Sequence, residues 1–167
     1  MVFHVLYRIK NILIILYSLE DRVRLTKAGE YGVRCILFLA KNGNGKVVGR
    51  VKIAKSMGIP EQFLGKIAQQ LSRSGFIEII RGAKGGYRLL LSPEKLTLLD
   101  VVEAVTGEIL LNDCLMSSEF CFRSPGCAIH RVWEKARNQL RETLKEATFA
   151  KMLEEETCLF PLISSEK

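Results

Sequence analysis

A helical segment that leads directly into two strand-like segments, within residues 61–91, restricts the fold of this chain more than any other feature. EQFLGKIAQQLSRSG places apolar residues on one helical face and polar residues on the other. FIEII and YRLLL follow as strand-like runs, and RGAKGG between them contains adjacent glycines that permit a tight turn. This order predicts a helix-turn-helix with a β-hairpin wing, because a short helix around residues 51–57, closed by Gly58, precedes the segment.

The polar side chains of this region have the chemistry of a DNA-binding surface. Gln can pair with adenine edges, Lys and Arg can bind guanine or phosphate, and a basic wing tip fits the minor groove or the backbone. The apolar face consists of Phe63, Leu64, Ile67 and Leu71. The predicted DNA-binding residues are Gln62, Lys66, Gln69 and Arg73 on the helix, Arg81 and Lys84 in the wing, and Arg24 before the first helix. A solvated helix face, and a phosphate-binding glycine loop at RGAKGG, are the alternatives.

Charge is distributed in a way that favours the DNA-binding interpretation. The 167 residues carry a formal net charge of +7, but residues 24–92 contain thirteen Lys or Arg against three Glu. Residues 101–167 contain eight basic and eleven acidic residues. A basic lobe joined to a mildly acidic one indicates that the first lobe meets a polyanion. A basic surface that only keeps the protein soluble is the alternative.

CLMSSEFCFRSPGCAIH, residues 114–130, predicts a metal site. Its candidate ligands are Cys114, Cys121, Cys127 and His130. Thiolates and imidazole are ligands of zinc and of iron–sulfur clusters, and intervals of five and six residues suit a loop around the larger object. Zinc and three unrelated thiols remain alternatives. The odd total of five cysteines argues against a secreted disulfide framework, and without a C-x-x-C pair we expect no cysteine-based redox enzyme.

Two further helices are predicted around this cysteine segment (residues 114–130). Thr97 and Asp100 form a capping box that opens a helix through about Thr106. Beyond the cysteines an apolar stripe continues over five turns and consists of Ile129, Val132, Trp133, Ala136, Leu140, Leu144 and Ala147. Because little of the chain remains to cover such a helix, we expect it to pack on its copy in a homodimer. Packing on its own basic lobe is the alternative.

The predicted fold is therefore mainly α-helical with a small β-hairpin wing: a winged helix-turn-helix and a long C-terminal dimerisation helix. We divide the chain into an N-terminal extension (1–22), the winged helix-turn-helix (23–95), a connecting helix (96–112), the cysteine-rich loop (113–130), the dimerisation helix (131–155) and a tail (156–167). The apolar run Ile12–Leu19 is too short to span a membrane. Val23 directly precedes a helix start, and we hypothesise that translation begins there and omits the extension.

Four stretches resemble the IscR/NsrR family of bacterial winged-helix transcription regulators, the Rrf2 family. They are VRLTKAGEYGVRCILFLA, MGIPEQFLGKIAQQLSRSGFIE, the RGAKGGY wing and the C-x6-C-x5-C-x2-H spacing, and together they cover roughly residues 23–155. The resemblance implies a cytoplasmic homodimer that binds double-stranded promoter DNA. It also implies sensing of iron–sulfur status, redox state or nitric oxide through a bound cluster.

The resemblance also implies roles for particular residues. The three cysteines match the family's cluster ligands, and His130 matches the histidine ligand of the IscR branch, which holds a 2Fe–2S cluster. Glu30 falls where other branches use an acidic residue of the partner subunit, so it is the alternative fourth ligand. The first cysteine interval is one residue longer than in IscR, which leaves a 4Fe–4S cluster as a second choice. Gly65 stands where IscR carries a glutamate that tunes promoter choice. A winged-helix regulator that responds to a small molecule or a protein partner, with zinc-bound or free cysteines, is the alternative function.

Overall fold

The computed structural model describes residues 26–42, 45–117, 121, 123 and 126–155 of the chain. The helices are α1 (Lys27–Lys41), α2 (Arg50–Met57), α3 (Glu61–Arg73), α4 (Leu98–Thr106), α5 (Ala128–Glu146) and α6 (Phe149–Glu154). The strands are β1 (Ile77–Ile80) and β2 (Gly86–Leu89), and a 3-10 helix spans Asp113–Leu115. This mostly helical fold with one antiparallel hairpin confirms the predicted fold class.

The N-terminal helices form the predicted helix-turn-helix. The Thr26 side chain accepts a hydrogen bond from the Gly29 amide and caps α1. Gly58 ends α2 in a left-handed conformation (φ 61°), which glycine adopts without steric cost. Arg34 of α1 donates to the Met57 carbonyl oxygen over 3.1 Å, so α1 holds the turn that precedes α3.

The core lies between α1, α3, α4 and the hairpin. Leu39, Leu64, Leu71, Val101 and Phe149 are fully buried there, together with Cys35. Burial raises the pKa of the Cys35 thiol to about 12, which fits the role of a small apolar side chain.

Gly32 in the middle of α1 permits close packing on α4. A Cβ added at Gly32 would lie 2.9 Å from Cγ2 of Val105, so a larger side chain would force the two helices apart. Val101 lies next to the same point, at 3.6 Å. Because of this contact, α4 packs closely against α1 and forms part of the winged-helix core, although it follows the wing in the sequence.

The wing is a two-stranded hairpin with a third segment at its edge. Ile77 pairs with Leu89 and Ile80 with Gly86 in antiparallel register. Val48 and Tyr87 exchange two backbone hydrogen bonds of 2.9 Å each, which ties the segment before α2 to β2. The sequence patterns did not predict this bridge. Gly86 is required there, because an added Cβ would lie 2.1 Å from the Val48 carbonyl oxygen.

The C-terminal region differs from the predicted continuous helix over residues 131–155. The long helix α5 begins at Ala128, inside the predicted cysteine-rich loop, and ends at Glu146. The backbone then becomes extended, the Leu98 amide donates to the Ala147 carbonyl oxygen over 2.8 Å, and Thr148 caps a separate helix, α6. Phe149 of α6 is fully buried in the winged-helix core. The C-terminus of the long helix is therefore fixed to the winged-helix lobe of its own chain.

Candidate nucleic-acid interface and cysteine segment

The polar stripe of α3 lies on the surface, as its spacing predicts. Its buried face consists of Leu64, Ile67, Ala68 and Leu71. The four stripe residues, Gln62, Lys66, Gln69 and Arg73, are all exposed. They span eleven positions, which is about 16 Å along the helix axis at 1.5 Å per residue. The stripe can therefore present its amide and cationic groups along a major groove.

Phe63 is placed differently from the prediction. Instead of joining the buried face, its side chain is 49% exposed, and its ring lies 6.4 Å from the ring of Tyr31 on α1. Phe63 lies at the border between the apolar face and the polar stripe. Its ring contacts Tyr31 of the neighbouring helix α1 on one side and remains open to solvent on the other. An exposed aromatic ring beside the stripe adds apolar contact area to this surface.

The wing tip, residues 81–85, adds positive charge. Arg81 and Lys84 are exposed, and neither forms an ion pair with any carboxylate in the part of the chain that the structure describes. Arg88, further along β2, instead binds Glu78 on the opposite strand, with its Nε 3.0 Å from the carboxylate. The wing tip thus offers two cations that remain available to an outside anion. Arg24, the remaining predicted DNA contact, lies outside the described residues.

The cysteine segment lies beside the first turns of α5. Cys114 belongs to the 3-10 helix, which packs against α5, and its amide donates to Oδ1 of Asn112 over 3.4 Å. Cys127 is the N-cap residue of α5, and His130 lies in the first turn of that helix. The cysteines at 114, 121 and 127 are partly exposed and form no disulfide among the described residues.

These side chains are not gathered into one metal-binding group. In the described part of the chain, no three His, Cys, Asp or Glu side chains are arranged to hold a metal ion. The chemistry of the donors nevertheless fits a metal–sulfur group, since among the described residues the thiols form no disulfide and the buried Nδ1 of His130 has no hydrogen-bond partner. A buried ring nitrogen normally has a partner, so this atom has an unfilled requirement. The ligand assignment stays a prediction.

Glu30, the alternative ligand, is engaged within its own helix. Its carboxylate binds Lys27 over 2.9 Å and also contacts Arg34. The hydrogen bond from Lys27 and the positive charge of Arg34 hold the pKa of Glu30 below its ordinary value. To bind a metal in a partner subunit, this carboxylate would first have to leave two cations.

The long helix α5 exposes its apolar stripe. None of its nineteen residues is buried in the single chain, and Ile129 and Val132 are 67% and 65% exposed. Its inner side is instead held by ion pairs to α4 and to the segment that follows α4. An amphipathic helix with an exposed apolar stripe has surface left to cover.

A family model described as Rrf2, iron-dependent transcriptional regulator, matches residues 25–155. The chain belongs to the Rrf2 family. Rrf2 regulators bind DNA, typically as dimers. Membership of this family confirms the resemblance that the sequence motifs indicate. The family consists of transcription regulators, which are generally not enzymes. None of the described helices is long and apolar enough to cross a membrane.

Individual Rrf2 relatives are similar over most of the chain. Protein aau3 of Rhizobium meliloti (strain 1021) is 35% identical over 127 residues, which are 75% of this chain and 82% of that protein. T. potens IscR has a TM-score of 0.63 at 25% identity and covers 80% of this chain and 88% of its own. CymR (YrzC), the global cysteine regulator of B. subtilis, has a TM-score of 0.63 at 26% identity, with 80% and 98% covered. The fold is therefore common to this chain and to a structure described as a global cysteine regulator.

Proposed function

We propose that this Rrf2-family protein is a homodimeric transcription regulator that binds promoter DNA and senses iron–sulfur, redox or nitric oxide status through a bound cluster. The observation that carries the DNA-binding part is the exposed stripe of α3 beside a wing tip with two available cations. We propose a cytoplasmic location, because promoter DNA lies there.

The DNA-binding surface combines base reading with phosphate binding. Gln62 and Gln69 carry amides that suit adenine edges, while Lys66 and Arg73 suit guanine or phosphate. Arg81 and Lys84 would hold the wing against the backbone. We propose Arg24 as a further phosphate contact, because it is positively charged and lies just before α1 in the sequence.

Alanine variants of Lys66 and Arg81 test this surface. Each should weaken binding to a duplex that the protein selects from random-sequence DNA. If each residue binds one phosphate per subunit, the plot of the logarithm of the association constant against the logarithm of the salt concentration should become less steep, by about 2 per dimer for each variant. Lys135→Ala is the matched control, because it removes one exposed cation from α5, outside the stripe and the wing. Parent-like binding by both variants would show that the DNA-binding face is misplaced.

The second copy of the chain is proposed to cover the apolar stripe of α5. Val132→Glu places a charge in that stripe and should shift the protein toward monomers in sedimentation velocity. Asn138→Glu adds the same charge at an exposed polar position on the opposite face of the same helix and should leave the dimer intact. A dimer that survives Val132→Glu would contradict this assignment of the interface.

The cluster is proposed to be held by Cys114, Cys121 and Cys127, with His130 as fourth ligand. A 2Fe–2S cluster is favoured and 4Fe–4S is the second choice. The buried Nδ1 of His130, which has no hydrogen-bond partner in the part of the chain that the structure describes, supports this fourth ligand. Glu30 is less suited because two cations already hold its carboxylate. A bound cluster would supply a group that gains or loses electrons or reacts with nitric oxide, while the protein residues hold it beside α5.

Anaerobic purification followed by visible absorption and by iron and sulfide quantitation tests the cofactor. An iron–sulfur protein is brown, whereas a zinc protein is colourless. His130→Ala should lower cluster retention more than Glu30→Ala does. The opposite order would assign the fourth position to Glu30 of the partner subunit. Mössbauer spectroscopy distinguishes the two cluster types.

A second function is a winged-helix regulator that answers to a small molecule or a protein partner, with its cysteines zinc-bound or free. The similarity to a structure described as the global cysteine regulator of B. subtilis favours considering it. A colourless protein without sulfide, whose DNA affinity changes with an added small molecule, would support this second function.

A further inference from the structure

Glu103 joins three parts of the molecule through one carboxylate. It lies on α4, and its side chain is only 22% exposed. Oε1 accepts a hydrogen bond of 3.0 Å from the Ile109 amide and also binds the guanidinium of Arg141 on α5. One oxygen thus holds α4, the backbone that leads into the cysteine segment, and the long helix.

A second carboxylate completes a cluster of four charged groups, which we call the Glu103 cluster. Its members are Glu103, Glu108, Arg137 and Arg141. Glu108 lies 3.5 Å from Arg137 and 3.6 Å from Arg141, but it is 57% exposed. Because exposed ion pairs contribute little, the less exposed Glu103 is the principal partner of Arg141.

The chain reverses sharply between these residues. Gly107 ends α4 with a positive φ of 82°, and its amide donates to the Glu103 carbonyl oxygen over 3.0 Å. The reversal brings Ile109 back over α4, within reach of the Glu103 side chain. The entrance to the cysteine segment is therefore fixed by α4 and not by the segment itself.

The recognition helix α3 is bound to the same end of α4. Nε2 of Gln70 donates to the Val105 carbonyl oxygen over 3.1 Å. Gln70 follows Gln69 of the proposed DNA-binding stripe, but it points toward α4 instead of outward. The last turn of α4 therefore contacts α3 on one side and, through Glu103, the cysteine segment and α5 on the other.

We propose that Glu103 and Gln70 are positioning residues that transmit the placement of the cysteine segment to the recognition helix. The proposal rests on the DNA binding proposed above, and it does not require an iron–sulfur cluster. A change that pulls on residues 109–114 acts first on Glu103 and Arg141. It then reaches α3 through the end of α4 and Gln70. None of the residues on this path belongs to the DNA-binding stripe.

Alkylation of the segment thiols tests the path whether or not a cluster is bound. Cys158, which lies outside the described residues, is replaced by serine in every protein so that it cannot react. The full chain is then treated with a chelator and with iodoacetamide. The partly exposed segment cysteines should react, whereas Cys35 is fully buried and should not. Mass spectrometry counts the adducts. The dissociation constant for the selected duplex is measured before and after modification.

Alkylation should change the DNA affinity of the parent by at least about fivefold, the lower end of typical coupling between sites. In Glu103→Gln, the ratio of the dissociation constants after and before alkylation should approach one. Before alkylation, this variant should bind DNA like the parent. The amide can still accept the Ile109 hydrogen bond, but it lacks the charge that holds Arg141. Glu134→Gln, an exposed carboxamide replacement on α5, should keep the parent's ratio. Gln70→Leu should lose the response as Glu103→Gln does, and it serves as the second variant if the first folds poorly.

The possible results separate this inference from the proposed function. A merely structural role would shift both affinities together and leave the ratio unchanged. If Glu103→Gln and Gln70→Leu keep the parent's ratio, or if alkylation leaves the parent's affinity unaltered, the inference is overturned. A parent protein that binds no duplex at all would overturn the proposed DNA binding, and this inference with it.

Discussion

Replacing Phe149 with alanine tests whether the C-terminal helix is part of the winged-helix core. Phe149 is 0% exposed. Its amide donates to the Leu96 carbonyl oxygen over 3.0 Å, and the Ala150 amide donates to Pro93 over 3.1 Å. Because α6 has only six residues, and isolated helices shorter than about 12–15 residues are marginal in water, its stability must come from this docking.

The size of the effect follows from the complete burial of the ring. Truncation of a buried phenylalanine to alanine costs about 3–5 kcal/mol, since apolar burial is lost and a cavity remains. Met152 and Leu153 are only partly buried beside the core, and their collapse into the space would place the loss near the lower end. A domain with a free energy of unfolding of about 5–15 kcal/mol would still fold.

Urea unfolding followed by circular dichroism measures this loss. Every protein must be compared at one concentration, because dimer dissociation makes the midpoint depend on concentration. Phe149→Leu should lose less than Phe149→Ala, since it keeps most of the apolar volume. Glu154→Ala, at an exposed position of the same helix, should change the free energy of unfolding by less than about 0.5 kcal/mol. A loss below about 1 kcal/mol in Phe149→Ala would refute the docking of α6, because no fully buried ring is removed so cheaply.

Three further predictions concern the wing, a helix cap and a titrating carboxylate. Gly86→Ala should lower the free energy of unfolding by at least about 2 kcal/mol, because its Cβ displaces the Val48 carbonyl oxygen from the bridge to β2. Gly65→Ala, whose Cβ meets nothing within 4 Å, is the control and should be neutral or slightly stabilising in the same urea titration. Thr97→Ala removes the hydroxyl of the capping box and should cost about 1 kcal/mol, while serine restores it; equal losses for both would contradict the cap. Because the pKa of Glu30 is lowered in the folded protein, its ionised carboxylate stabilises the fold at pH values above the ordinary carboxyl pKa of 4.5. This contribution to the free energy of unfolding is lost as the pH falls below 4.5 and through the lowered pKa. Stability curves from pH 7 to pH 3 should therefore be flatter for Glu30→Gln than for the parent.

The elements that local patterns determine were predictable from the sequence. The apolar spacing of α3 identifies most of its buried face, because Leu64, Ile67 and Leu71 recur on one side of a helix and all three are buried. Thr97 and Asp100 identify the start of α4, since both partners of a capping box lie within one turn. RGAKGG identifies the wing tip, because adjacent glycines permit a tight turn. A Cβ added at Gly85 or Gly86 would lie 2.2 or 2.1 Å from a backbone carbonyl oxygen.

The remaining features depend on partners that are distant in the sequence. No glycine or proline separates α5 from α6. Thr148 caps α6 locally, but the hydrogen bond from the Leu98 amide to the Ala147 carbonyl oxygen joins residues 49 positions apart. The exposure of Phe63 depends on Tyr31 of another helix. Glu103 resembles a solvated residue of an amphipathic helix, and its partner Arg141 lies 38 positions further along. Pattern rules for one element cannot identify such contacts.

The two ends of α5 have different physical roles, and this difference bears on how a signal could reach DNA. The C-terminal end is fixed to the winged-helix core by Ala147 and Phe149, and Arg141 adds a tie to α4. The first turns carry Cys127 and His130 together with the exposed Ile129. Nineteen residues of helix span about 28 Å, so α5 joins the cysteine end to the winged-helix core as one continuous helix. Because the apolar surface proposed for the partner lies on the same turns as the proposed ligands, a change at the ligands must alter the dimer contact as well. The proposed dimer contact is therefore a second route from the cysteine segment, beside the proposed path through Glu103 and Gln70.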